Sequence, residues 1–396
     1  MLTQHHIDTV KATIPLLASA GTAITEHFYQ RMFFHNPELK DVFNMTHQRT
    51  GGQPAALFNA IAAYATHIDN LEVLTSAVTR IAHKHTSFNI QPNQYDIVGH
   101  HLLETLRELA PEAFTKDVEE AWAAAYTQLA GIFIQVEGDL YKERAAQVGG
   151  WKDFRRFRLA SKTPESDLVT SFVFEPVDGR AVIDYQPGQY LGVKLHPKGN
   201  KYDEIRQYSL STTPNGKNYR ISVKREGAGD IKGVMSNYLH DHLNVGDEIE
   251  AMPPAGDFVF QDKQTPVVLI SGGVGLTPMQ AILNTLDKQQ YGHPVSYLHA
   301  CAHQGQHSFK EHVNSLKGHL NLSVHTWYEQ AKSEEEGVTK GMMQLDAIKD
   351  SLPLINGEFY LCGPVGFMMF VKQQLLTLGV EADRIHYELF GPHQEV

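Results

Sequence analysis

The period of the hydrophobic pattern changes twice along this chain, and that limits the folds open to it. Over 7–141 the apolar residues recur at helical spacing. Ile7, Val10, Ile14 and Leu17 form one stripe, and Leu102, Leu103, Leu106 and Leu109 another. Alanine-rich stretches such as AAYA and AWAAAY favour helix. Breakers at Gly21, Asn36-Pro37, Gly51-Gly52, Gln91-Pro92 and Ala110-Pro111 divide the region into roughly six to eight helices with no strand. Past Gly149-Gly150 the pattern alternates as strands do: WKDFRRFRLASKTP, LVTSFVFEPV, QYLGVKL, YRISVKRE and DEIEAMPP. The turns Pro187-Gly188, Pro214-Asn215-Gly216 and Pro253-Pro254-Ala255-Gly256 separate them, which predicts a small antiparallel β-barrel. One short helix is predicted over 236–243, capped by Ser236 or Asn237. After Asp262 the fully apolar strand PVVLIS opens a third rhythm. VSYLHAC, LSVHTWYE and EFYLCG follow with helical segments between them, the pattern of a doubly wound parallel sheet. The expected architecture is multidomain, all-α then β then α/β, with boundaries at 1–147, 151–262 and 263–396.

The 396 residues exceed what one core holds, in line with three domains. A net charge of −11 argues against nucleic acid or an anionic lipid surface as partner. No window reaches the ~18 apolar residues of a membrane helix, and the start MLTQHHIDTV lacks a signal-peptide pattern, so no membrane insertion is expected. The two cysteines, Cys301 and Cys362, lie in no metal or redox spacing, which fits a reducing cytoplasm. The acidic run Ser333-Glu334-Glu335-Glu336-Gly337 reads as a solvated loop, and no internal repeat is present.

Three local patterns carry chemistry. His85, in IAHKHTSFNIQPNQY, sits where a helical pattern breaks before Pro92. A neutral imidazole there can ligate iron while its second nitrogen is tuned by a partner. A lone histidine is usually structural, and His83 is the bland alternative. Arg206-Gln207-Tyr208-Ser209 follows a strand, with an arginine suited to a pyrophosphate. Gly272-Gly273-Val274-Gly275-Leu276-Thr277-Pro278 joins an apolar strand to a helix. Its glycines let the backbone approach a pyrophosphate, and the helix N-terminus favours that charge. The loop is not G-x-G-x-x-G. Thr277 is the predicted cap and Pro278 the predicted first helical residue.

HKHTSFNIQPNQYDIVGHHLL and NPELKDVFNM strongly resemble the corresponding segments of bacterial flavohemoglobins, and the resemblance extends over essentially the whole chain. It implies an N-terminal globin, a β-barrel binding FAD and an NAD(P)-binding domain of the ferredoxin reductase type. In the globin it implies heme b with its iron on His85, a triad of His85, Tyr95 and Glu137 (in FIQVEGDLY), and Phe43 packed on the heme. Tyr29 (in EHFYQRMF), Gln53 and Leu57 fall on the distal side, and Lys84 at a position that can bias the heme potential. Pro54 places Gln53 at or just before the first helical turn. In the reductase part the resemblance assigns FAD to Tyr190, Arg206, Gln207, Tyr208, Ser209 and Ser236. GAGDIKG is longer there than the family's usual loop. NAD(P)H falls to Gly273, Val274, Gly275, Leu276, Thr277 and Pro278, and to Cys362, Gly363 and Pro364, with Cys362 as a packing residue and not a nucleophile. In the terminal HYELFGP it assigns Glu388, Leu389, Phe390, Gly391 and Pro392, with Phe390 shielding the flavin.

The activity so implied is an NAD(P)H-dependent nitric oxide dioxygenase, in which electrons pass from NAD(P)H through FAD to heme iron and NO and O₂ become nitrate. A cytoplasmic monomer that detoxifies nitric oxide is the family expectation. Two other readings stay open on the sequence: a reductase of hydroperoxides, ferric complexes or quinones, and an oxygen carrier or sensor. The carrier reading leaves the two C-terminal modules without a purpose.

Overall fold

A computed structural model describes residues 2–43, 45, 51–228, 231–330 and 337–391. The chain forms two compact units: Met1–Phe154 with Lys194–Arg206, and Arg155–Val193 with Gln207–Val396.

The helical part of the first unit follows the apolar stripes. Among the described residues its α-helices are α1 (Gln4–Ala12), α2 (Ile14–Ala20), α3 (Ala23–His35), α4 (Gly52–His67), α5 (Thr75–Ser87), α6 (Pro92–Leu109) and α7 (Lys116–Ala146). Breakers act where expected. Gly51 caps α4 at φ 76°, and Pro92 opens α6, where Gln91 and Gln94 form a reciprocal cap. Thr115 caps the 31-residue α7. One core joins Val10, Leu17, Ile24, Tyr64, Leu106 and Trp122, and a second joins Phe28, Tyr29, Met32, Phe33, Leu39 and Leu102. The segment Lys194–Arg206 belongs to this unit. The amide of Asp203 donates to Asp41 Oδ1 at 2.8 Å, and the Lys40 ammonium lies 5.7 Å from the Tyr202 ring centre.

The strands β1 (Arg155–Pro164), β2 (Val169–Pro176), β3 (Tyr190–Leu195), β4 (Glu204–Ser209), β5 (Tyr219–Lys224) and β8 (Glu248–Ala251) form one sheet in the order β4-β3-β8-β1-β2-β5. β1 buries Arg155, Phe157 and Leu159 and exposes Arg156, Arg158 and Ala160, the period-two alternation read in the sequence. A bridge between Leu210, just past β4, and Ile221 of β5 closes the sheet on itself, so the barrel forms. β6 (Gly227–Ala228) and β7 (Ile231–Lys232) form a small ladder inside GAGDIKG, two residues of which lie outside the described set. The helix α8 spans Val234–Asp241, two residues ahead of its predicted start. Its N-cap is Gly233, not Ser236 or Asn237. The Ser236 hydroxyl points back to the Gly233 carbonyl at 3.4 Å, because it already lies inside the first turn.

The remaining strands are β9 (Val267–Gly272), β10 (Val295–Cys301), β11 (Leu322–Tyr328), β12 (Val338–Lys340), β13 (Glu358–Cys362) and β14 (Ile385–Glu388), all parallel in the order β12-β11-β10-β9-β13-β14. The helices are α9 (Leu276–Lys288), α10 (Lys310–Ser315) and α11 (Val365–Thr377). Both faces are covered. Met279, Ile282, Leu283 and Val313 pack on one, and Met368, Val371 and Leu375 on the other, which explains why β9 and β13 are buried throughout. The strand order reverses between β9 and β13, so the crevice beyond their C-terminal ends is where this fold receives ligands.

Candidate functional site

Three helices bring His85, Tyr95 and Glu137 together. His85 lies in the last turn of α5, Tyr95 in the first turns of α6 and Glu137 within α7. The Tyr95 hydroxyl donates to Glu137 Oε1 at 2.6 Å. His85 Nδ1 lies 2.8 Å from the same oxygen and 2.9 Å from the Tyr95 hydroxyl. A carboxylate oxygen accepts, so Nδ1 carries the proton and Nε2 keeps its lone pair. Burial, with the Glu137 charge beside it, holds the Tyr95 hydroxyl far above the ordinary phenol range, so it stays a donor. Nε2 has no hydrogen-bond partner among the described residues. A buried carboxylate that orients a histidine whose Nε2 has no partner among the described residues is a donor set that suits a heme iron. His83 is not an alternative ligand here, because Arg144 donates to its Nδ1 at 3.0 Å and to Thr86 Oγ1 at 2.6 Å.

Tyr29 is 6% exposed and meets Phe33 and Phe43, each with ring centres 5.8 Å away. Leu57 packs against the same cluster. Gln53 and Leu57 are one turn apart on α4, Gln53 in its first turn as Pro54 requires. The Thr25 hydroxyl donates to the Pro54 carbonyl at 2.8 Å, which ties that turn to α3. Lys84 is half-buried beside His85.

Arg206, Gln207, Tyr208 and Ser209 end β4, with Ser209 buried and the others half-buried. Arg206 pairs with Glu204 at 2.5 Å and donates to the Ile205 carbonyl at 2.7 Å. Tyr190 opens β3 and packs against Gly256, where a Cβ would meet its ring. Ser236 is buried in α8.

β9 ends at Gly272, Gly273–Gly275 make a single 3₁₀ turn, and α9 starts at Leu276. Gly273 takes φ +52°, which glycine adopts without strain, and a Cβ there would enter open space. A Cβ on Gly275 would drive into the Cys362 carbonyl, and on Gly272 or Gly363 into the Phe367 ring. Glycine is therefore what lets the loops after β9 and β13 touch and leave an uncluttered floor at the crevice, a cradle suited to a dinucleotide. The predicted cap is corrected. Gly275 is the N-cap, and Thr277 donates its hydroxyl to the Val274 carbonyl at 3.1 Å, with Pro278 third in the helix. The helix starts earlier because the 3₁₀ turn leads straight into it. Cys362 is fully buried, and burial holds its thiol well above the usual range, so it packs and does not react. Pro364 caps α11. Glu388 pairs in register with Cys362, Leu389 packs on the sheet core and Gly391 takes φ +147°. Phe390 is 45% exposed, so it is no core residue. Pro392 lies outside the described residues.

Comparison with known proteins fits each part. Residues 26–133 match the Globin family model, 156–260 the oxidoreductase FAD-binding domain and 269–373 the oxidoreductase NAD-binding domain. A flavohemoprotein of Vibrio cholerae is 59% identical over the full length of both chains. The chain belongs to the flavohemoprotein family. A crystal structure of flavohemoglobin from Malassezia yamatoensis, with bound FAD and heme, is 27% identical with TM-score 0.87, covering 98% of this chain and 100% of that one. The flavohem-like FAD/NAD-binding domain of nitric oxide dioxygenase from Vibrio cholerae is 50% identical with TM-score 0.58, covering 61% of this chain and all of that one.

For a flavohemoprotein, the structure adds residues the sequence reading did not name. Phe133 stacks on Tyr95 at 17° and lies 5.6 Å from the His85 ring, and the Tyr126 hydroxyl donates to the Tyr95 carbonyl at 2.6 Å. Gly99 leaves room for the Tyr126 ring. Their only trace in the sequence is helical spacing on α7, where Tyr126, Phe133 and Glu137 share a face at seven and four residues.

Proposed function

We propose that this chain is an NAD(P)H-dependent nitric oxide dioxygenase whose heme is held through Nε2 of His85. The observation that carries the reading is Glu137, buried and accepting from both Tyr95 and His85 inside a helical unit fused to a nucleotide-type sheet. When bound, the flavin divides a hydride into single electrons and the heme iron delivers them to O₂ and nitric oxide, giving nitrate. Glu137 makes the His85 ring more electron-rich and fixes its tautomer, which favours O₂ activation over storage. Tyr29 supplies a hydroxyl donor in an aromatic pocket, Leu57 and Phe43 exclude water, and Gln53 adds a second polar group. Lys84 adds positive charge next to the ligand.

In the reductase part, Arg206 meets the pyrophosphate of FAD, Tyr208 packs on the ring system, Ser209 hydrogen-bonds near its reactive nitrogen, and Gln207, Tyr190 and Ser236 complete the site. The backbone from Gly273 to Pro278 and Cys362-Gly363-Pro364 hold NAD(P)H. The exposure of Phe390 suits a ring that covers a flavin, and Glu388, Leu389, Gly391 and Pro392 are assigned to the same site by the resemblance. Domain limits at 1–147, 151–262 and 263–396 belong to the same reading, as do a monomeric state, a cytoplasmic location and a role in nitric oxide detoxification. Both cysteines are unpaired and buried, and no helix among the described residues is long and apolar enough to cross a membrane.

The test is stoichiometry. Joining nitric oxide to O₂ as nitrate consumes one electron, so holoprotein supplied with NADH should form two nitrates per NADH oxidised. NADH oxidation without nitrate would refute the reading.

A further inference from the structure

The loop 303–309, between β10 and α10, carries an unusual residue at its end. Phe309 is 7% exposed, yet its backbone sits at φ 60° and ψ 11°, the left-handed region. For an L-residue that conformation costs about 1–2 kcal/mol, and glycine would adopt it freely. The chain keeps a ring where the backbone calls for none. That ring receives the Arg220 guanidinium of β5, whose central carbon is 5.2 Å from the ring centre. Arg220 is held in place from behind, since its Nε donates to Ser211 Oγ at 3.1 Å and its Nη2 to the Ser211 carbonyl.

The same loop makes two more ties to the barrel, both at the β1–β2 turn. The Asp167 amide donates to the Gly305 carbonyl at 2.8 Å, and the Ser308 hydroxyl donates to Ser166 Oγ at 2.9 Å. Gly305 keeps the approach close, because a Cβ there would displace the Asp167 carboxylate. On its other side the loop packs on the C-terminal parts of β10 and β11. His307 Nδ1 lies 2.8 Å from the Tyr328 hydroxyl, and its ring centre lies 4.5 Å from that of His299. His299 Nδ1 lies 2.9 Å from Ser271 Oγ, and Ser271 immediately precedes the glycine loop. An unbroken run of packed and hydrogen-bonded groups thus leads from the glycine loop to the flavin barrel.

We propose that Phe309 and Arg220 are positioning residues for hydride transfer, clamping the nucleotide sheet to the barrel so that dinucleotide and flavin meet in reacting geometry. The step they serve moves one hydride from the dihydronicotinamide to the flavin, oxidising the first and reducing the second. This inference rests on the NAD(P)H-to-FAD part of the proposed function, not on nitric oxide as substrate. Misplacement of about 1 Å slows such a step by as much as a hundredfold, whereas a ring that only fills the core would change stability alone.

The experiment compares Phe309→Gly, Phe309→Tyr, Arg220→Gln and Arg220→Lys holoproteins with the wild type by anaerobic stopped flow with NADH. In Phe309→Gly and Arg220→Gln the limiting rate of flavin reduction should fall at least about tenfold while the NADH Kd stays within about threefold. The long-wavelength charge-transfer absorbance should be lost with it. Phe309→Tyr should restore the rate, and Arg220→Lys should restore part of it. Hydrogen exchange provides a readout apart from activity. Segments 165–168 and 303–309 should lose protection together in both damaging variants, with β9 and β10 unchanged. An unaltered limiting rate, failure of Phe309→Tyr to rescue, or exchange confined to 303–309 would overturn the inference. A wild-type protein that reduces its flavin with NADH but makes no nitrate would fail the dioxygenase reading and leave this inference standing.

Discussion

At the scale of single residues, Glu137 organises the candidate heme side. It is 3% exposed and its Oε1 accepts from both the Tyr95 hydroxyl and the His85 Nδ1–H. Glu137→Gln should cut nitric oxide turnover by about tenfold to a hundredfold and lower the iron–histidine stretching frequency measured by resonance Raman. An unchanged frequency would show that Glu137 does not tune the ligand. Tyr95→Phe keeps the stacking on Phe133 and removes one donor, so its effect on the same measurement should be smaller. His85 was legible in the sequence because it stands beside helix-breaking signals and a recognisable motif. Phe133, Tyr126 and Arg144 were not, because their partners Tyr95, His85 and Thr86 lie on other helices far away in the chain, and no local pattern records that.

At the scale of elements, the glycine loop shows what spacing can and cannot convey. Its glycines marked a close backbone approach, but not to what. The structure supplies the Cys362 carbonyl and the Phe367 ring. Gly275→Ala should therefore weaken NADH binding at least tenfold and cost about 1–3 kcal/mol in stability, checked by NADH titration and urea denaturation. Native affinity in that variant would contradict the packing account. Helix starts were less legible than strands. Ser236 and Thr277 have capping chemistry, but each lies inside the first turn because Gly233 and Gly275 lead in ahead of them.

Loop 303–309 also makes a pH prediction. Burial, with Lys310 adding to it, pulls His307 down to about 4, and burial with His307 nearby holds His299 well below its usual range. In the unfolded chain both take up a proton near the ordinary histidine value, so they favour the folded state above about pH 6.5. That contribution is lost as pH falls from there toward 4, on the order of 3 kcal/mol for His307. His307→Gln should flatten the fall in urea midpoint between neutral pH and about pH 4.5. A midpoint that drops just as steeply in the variant would remove His307 as a cause.

At the scale of the whole molecule, the order of modules was legible because period alone separates helix, antiparallel strand and buried parallel strand. The grouping of Lys194–Arg206 with the helical unit was not legible, since nothing in that stretch marks Asp203 as a partner of Asp41. On the proposed function, electrons entering at the glycine loop arrive at a heme held by His85. The most direct test is an absorption spectrum of the holoprotein under argon as NADH is added. In the wild type the flavin bands should bleach and the Soret band should move from its ferric to its ferrous position. In His85→Ala only the flavin should respond. Bleaching of the flavin with a Soret band that stays ferric in the wild type would contradict that electron path.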